Sequence, residues 1–167
     1  MAKGFKTETD VFNDLRSLLE NSQLEVLQLV PPGGQAPLSL TYIPDGAERP
    51  KTIYPDLIAF NGNSIYLGEL KPRFSKPDVE KLRSIQDSAD AYEKVCRIVR
   101  KVGKTPLSKA PTVISLLVHT QENAPKVDGI VQVVFLATSG IVLLGGNKAA
   151  FDRKSSSIES MISSVSY

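Results

Sequence analysis

A chain of 167 residues, 41% apolar and 23% charged, has the size and make-up of one globular domain spanning residues 1–167, and its composition excludes disordered, collagenous and disulfide-rich classes. A net charge of +2 announces no polyanionic partner by itself, so any nucleic-acid reading must rest on where the basic residues lie. The single Cys96 cannot form an internal disulfide, the opening MAKGFKTETD carries no apolar run, and no stretch is long enough to span a bilayer; together these predict a cytoplasmic protein with no membrane partner.

In chain order, Val11, Phe12, Leu15, Leu18 and Leu19 recur at helical spacing to about Asn21, and Thr7 with Asp10 forms a capping arrangement at the start. LEVLQLV reads as a strand that stops at Pro31-Pro32-Gly33-Gly34, and LSLTYI reads as a short strand that PDGAERP ends. TIYPDLIAF and SIYLGELK then flank Asn61-Gly62-Asn63, a strong hairpin signal. Ser75 with Asp78 caps one long helix in which Val79, Leu82, Ile85, Ala89, Tyr92, Val95, Cys96 and Val99 keep helical period to about Val102. PTVISLLVHT is continuously apolar, as in a strand covered on both faces, and GIVQVVFLAT and GIVLLGG supply further strands. Ile158, Met161, Ile162 and Val165 space as a final helix. This order predicts an α/β sandwich with a mixed central sheet flanked by helices.

The hairpin places acids where a sheet should be dry. With Gly62 and Asn63 at the tip, Asp56 lies opposite Glu69; with Asn61 and Gly62 there, Asp56 lies opposite Leu67 and diagonal to Glu69. Either register puts both carboxylates on one face, and Lys71, two residues beyond Glu69, points the same way. Like charges across a ladder repel, and burial among Ile58, Ile65 and Leu67 adds to the cost unless a cation offsets it. Mg²⁺, which takes one or two carboxylates and completes its shell with water or phosphate oxygens, suits such a pair. Glu8 extends the core-facing stripe of the first helix and can reach the same ion.

Tyr54–Phe60 and Tyr66–Lys71 resemble the PD-(D/E)XK nuclease superfamily, which includes restriction endonucleases and archaeal Holliday-junction resolvases: Pro55-Asp56 stands for the PD and Glu69-Leu70-Lys71 for the ExK. The motif covers Tyr54 to Lys71, and the α-β-β-β-α-β order extends the likeness over roughly residues 5–120. The resemblance implies a restriction-endonuclease-like fold and a metal-dependent endonuclease hydrolysing phosphodiester bonds in DNA. It further implies a Mg²⁺ site, in which Mn²⁺ can substitute, built from Asp56, Glu69, the Leu70 carbonyl and Glu8, with Lys71 orienting the attacking water. Some members carry a glutamine and a tyrosine on the following helix; here Gln86 and Tyr92 are six apart, against four in the RecB-like branch.

For nucleic-acid contact, Arg73 and Lys76 follow the motif directly, and Lys94, Arg97 and Lys101 share a face within a run that continues through Lys104 and Lys109 with no acid. Gln86 completes this set through the resemblance. His119 has no second histidine for a zinc site and reads as a loop-edge residue, Cys96 as a small core residue, and GGNK from Gly145 as a turn. The size of the chain leaves little room for a separate recognition module, so a double-stranded substrate calls for a homodimer. Two other functions share these residues: a non-catalytic nucleic-acid- or protein-binding member of the same fold, and an RNA-cleaving, toxin-like nuclease, since nothing in the chain separates RNA from DNA.

Overall fold

Residues 6–137 and 140–145 are described by a computed structural model. The first element, α1 (Glu8–Glu20), starts at a capping box in which Thr7 Oγ1 accepts from the Asp10 N–H and the Asp10 carboxylate accepts from the Thr7 N–H. Five strands follow: β1 (Glu25–Leu29), β2 (Leu40–Tyr42), β3 (Lys51–Ile53), β4 (Leu57–Phe60) and β5 (Ser64–Leu70). After α2 (Lys76–Gln86) and α3 (Ala89–Val102) come β6 (Thr112–His119), β7 (Ile130–Phe135) and β8 (Ile141–Gly145).

The main sheet runs β1-β4-β5-β6-β7-β8, and β2 with β3 makes a separate two-stranded ribbon. The pairs β5–β6 and β6–β7 are parallel and the others antiparallel, so the fold is α/β with a mixed six-stranded sheet. Alternation along the strands divides the core in two. Leu57, Ala59, Tyr66 and Leu70 pack with Val11, Leu15, Leu18 and Leu19 of α1. Ile58, Phe60, Ile65 and Leu67 pack on the other face with α2, α3 and the ribbon residues Leu40, Tyr42 and Ile53. Gly68 allows the close approach of β4 to β5, because a Cβ there would sit 3.1 Å from Leu57 Cβ. β6 is central and buried from Ile114 to His119, as its unbroken apolar run predicts.

Two expected elements are broken. The long helix after the hairpin is two helices, because Ser88 caps α3: its Oγ accepts from the Ala91 N–H and donates to the Ile43 carbonyl. The periodicity carries through the break and conceals it. TIYPDLIAF is two strands, β3 in the ribbon and β4 in the main sheet, with Tyr54, Pro55 and Asp56 as the crossover; proline has no N–H for a ladder. The helix expected around Ile158 to Val165 lies outside the described residues, as does GGNK beyond Gly145. Among the described residues no helix is long and apolar enough to cross a membrane.

Candidate functional site

The hairpin closes through Asn61, whose N–H donates to the Ser64 carbonyl (3.0 Å) while its Oδ1 accepts from the N–H groups of Asn63 (2.9 Å) and Ser64 (2.8 Å). Gly62 and Asn63 therefore form the tip, and the register is Phe60↔Ile65, Ala59↔Tyr66, Ile58↔Leu67 and Leu57↔Gly68. Continued one step beyond this last pair, the register would bring Asp56, just outside β4, opposite Glu69 on the α2 face. Here a side chain takes over from the ladder: Asp56 Oδ2 accepts the Leu70 N–H (2.9 Å), and the Asp56 carbonyl accepts the Val30 N–H (2.8 Å). The N–H and C=O of an extended residue point the same way, so the Leu70 carbonyl faces the Asp56 side as well.

Pro55 is held from behind by Gln28, a buried residue at the irregularity of β1. Its Nε2 donates to the carbonyls of Pro55 (2.6 Å) and Leu38 (3.1 Å), and its Oε1 accepts the Leu38 N–H (2.8 Å). Gln28→Leu strands all three groups and is expected to lower stability by about 3 kcal/mol, read from urea unfolding. A loss below about 0.5 kcal/mol rules out this role, since that is the range of an inconsequential surface change.

Glu69 is 3% exposed. Burial, together with the negative charges of Asp56 and Asp78, pushes its carboxyl from 4.5 up to about 7 against the opposing pull of Lys81, whose Nζ lies 2.7 Å from Oε1. Both Asp78 and Lys81 come from α2, three residues apart and so on one side of the helix. Ser75 caps that helix by accepting the Asp78 N–H, and Val79, Leu82 and Ile85 seat it on the sheet. Asp78 Oδ2 is buried without a hydrogen-bond partner.

Lys71 is half-buried at the end of β5, its N–H bonded to the Val118 carbonyl (2.9 Å). The loop beyond it is fastened to the end of β6: Thr120 donates to the Pro72 carbonyl through N–H and Oγ1, and the Phe74 N–H donates to Gln121 Oε1. Arg73 and Lys76 are exposed on this loop and at the start of α2, at the same end of the sheet as the carboxylates.

Several expectations need correction. The acid that joins Asp56 in acting on Glu69 is Asp78; Glu8 is half-buried on α1, across the sheet from the α2 face. Glu69 pairs with Lys81 and lies in an interior strand. The basic run of α3 does not border the pair. α3 ends at the hairpin tip, where a Cβ on Gly103 would lie 2.5 Å from Phe60 Cζ, and the Ser108 N–H bonds the Gly62 carbonyl. That end is separated from Glu69 by most of the seven residues of β5, about 20 Å. Lys94 pairs with Asp90 (3.3 Å), Arg97 and Lys101 are exposed, and Arg100 donates to the Ser108 and Lys109 carbonyls. The Gln86 amide donates to the Gly129 carbonyl at the other end of α2.

His119 is the last residue of β6, next to the loop as expected, and it is fully buried. Nδ1 accepts the Gln121 N–H (3.0 Å), so the proton is on Nε2, which donates to Gln132 Oε1 (2.7 Å); burial holds the imidazole below its usual pKa and neutral. Cys96 is a core residue as expected.

The donors fit a hard divalent cation. Asp56, just before β4, lies near enough to Glu69 on β5 for its charge to act on it, a third buried carboxylate oxygen, Asp78 Oδ2, has no partner, and the nearly dry Glu69 carboxyl is hard to ionise with one ammonium beside it. Among the described residues no group of three His, Cys, Asp or Glu side chains forms a ready cage, so water and substrate oxygens have to supply much of the shell. Asp78, Lys81 and Gln28 are the residues that sequence reading missed. Asp78 was legible only as a partner of its cap, Lys81 as one charge beside an apolar stripe, and Gln28 had no signal. Comparison with family models, curated proteins and solved structures returns no match.

Proposed function

We propose that the protein is a Mg²⁺-dependent endonuclease hydrolysing phosphodiester bonds in DNA, with Asp56 and Glu69 as its metal-binding carboxylates. The observation that carries this reading is the negative charge of Asp56, just before β4, acting on Glu69, which is 3% exposed in an interior strand. Two acids held this close repel, and a dication offsets both charges where Lys81 offsets one.

Asp56 and Glu69 would hold the ion, with the Leu70 carbonyl on the same side; Mn²⁺ suits the same oxygens. When bound, Mg²⁺ supplies Lewis-acid polarisation of the scissile phosphate and makes hydroxide available near neutral pH. The chain's own residues do the rest. The Leu70 N–H fixes the orientation of the Asp56 carboxylate, and Gln28 and the Val30 N–H fix its backbone. Lys71, on the Glu69 side of the strand, orients the nucleophile and offsets charge that develops on the phosphate. Arg73 and Lys76 take neighbouring phosphates, and a homodimer would serve both strands of a duplex.

The test offers plasmid, single-stranded and branched DNA, and RNA, with Mg²⁺ or with EDTA. DNA cleavage that EDTA abolishes is expected, and cleavage indifferent to chelation overturns the reading. Arg73→Ala with Lys76→Ala is expected to weaken DNA binding and to reduce the salt slope by about 0.9 per lost phosphate contact, whereas Arg97→Ala with Lys101→Ala, at the far end of the sheet, leaves both unchanged. The reverse ranking places the nucleic-acid face on α3 instead.

A further inference from the structure

Lys81 reaches in from α2 with its Nζ 2.7 Å from Glu69 Oε1 and 3.3 Å from the Tyr54 carbonyl. Its side chain is 25% exposed against 4% for Glu69, so the ammonium joins water on one side to a nearly dry carboxylate on the other. Asp56, just before β4, brings its negative charge to bear on the same carboxylate, and Asp78, one turn before Lys81, adds a third negative group.

We infer that Lys81 is the resident counter-cation of the site: its ammonium holds Glu69 in the metal-free protein, and a divalent ion binds by taking Glu69 from it. This rests on the proposed reading of Asp56 and Glu69 as metal ligands. A single ammonium offsets one of the charges gathered here and leaves Asp78 Oδ2 unpartnered, whereas a dication offsets two. Lysine is suited to being displaced. It is a point charge on a flexible stem, it is already part-exposed, and its second contact is one long hydrogen bond, so it can leave without moving the backbone of α2. The pair lets the chain fold with both acids in place before any metal arrives, at the cost of weaker metal binding.

The test compares the wild type with Lys81→Met and Lys81→Arg, using Mn²⁺ as the probe. Calorimetric titration at pH 8.5 gives affinity, and thermal unfolding in EDTA and in Mn²⁺ gives stability. Lys81→Met is expected to bind Mn²⁺ roughly tenfold more tightly, the scale of one partly buried ion pair removed as competitor. It should melt below the wild type in EDTA and gain more from Mn²⁺ than the wild type does, while Lys81→Arg stays close to wild type. Lys81→Gln gives the same readings should the methionine variant not fold.

Equal Mn²⁺ affinity in the wild type and Lys81→Met overturns the competition and leaves the metal reading standing. An equal loss of melting temperature in EDTA and in Mn²⁺ makes the pair purely structural and overturns it too. If no Mn²⁺ binds to the wild type, or if Asp56→Asn binds it as well as the wild type does, the metal reading itself fails and this inference fails with it.

Discussion

Asp56→Asn and Glu69→Gln are each expected to reduce Mg²⁺-dependent cleavage of DNA by at least about a thousandfold, the upper range for loss of one charge-stabilising group, while the protein stays folded. Both changes are close to isosteric. Asparagine can still accept the Leu70 N–H through its Oδ1, so the turn from Pro55 into β4 keeps its support from the end of β5. What each variant loses is a negative oxygen from the pair in which the charge of Asp56 acts on Glu69. Lys71→Ala should also impair turnover but leave Mn²⁺ binding intact, because an ammonium contributes to the reaction and not to holding the ion. Rates from single-turnover cleavage, alongside thermal unfolding of each variant, decide the matter. Residual activity within tenfold of wild type for either carboxylate variant ends the proposal that these residues carry the chemistry.

Glu69→Gln should at the same time make the metal-free protein more stable, and the gain should depend on pH in a defined direction. The carboxyl rises from 4.5 to about 7 on folding, so the folded state binds the proton more tightly than the unfolded chain does. The contribution of Glu69 to stability is therefore fully present below pH 4.5, declines as pH rises toward 7, and is lost above it. A shift of this size corresponds to about 3 kcal/mol between pH 4 and pH 8. In EDTA, wild type and Glu69→Gln should be close to equal near pH 4 and diverge by up to about 3 kcal/mol at pH 8, less whatever Lys81 loses with its partner. His119, kept neutral by burial, has the opposite slope and loses stability as pH falls through 6.5, but it is common to both proteins and cancels in the difference. Parallel stability curves across this range show that Glu69 is not strained by its surroundings. Diverging curves together with loss of cleavage in the same variant would be the trade expected of a functional group.

Features set by local chemistry were readable from the chain. Thr7 with Asp10 and Ser75 with Asp78 mark helix starts because capping satisfies backbone groups within one turn. The turn at Asn61 to Asn63 marks the hairpin, and period-two alternation then places Asp56, Glu69 and Lys71 on one face in either register. The choice between the registers belonged to Asn61, whose side chain closes over Asn63 and Ser64. The fold class followed from the order of elements, since an unbroken apolar run after a helix is at home only in the middle of a covered sheet.

Other features depend on groups far apart in sequence meeting in space, and no window of residues contains them. Ser88 ends one helix and begins another by bonding Ile43, 45 positions away, and Gln28 braces Pro55 from 27 positions away. The direction in which α3 runs carries its basic residues to the hairpin tip, away from the carboxylates. The packing of α2 on the sheet selects Asp78 and Lys81 as the neighbours of Glu69. Periodicity reports which side of an element is apolar; it is silent on which polar group another element sets against it, because that depends on how whole elements dock and not on the residues beside it in the chain.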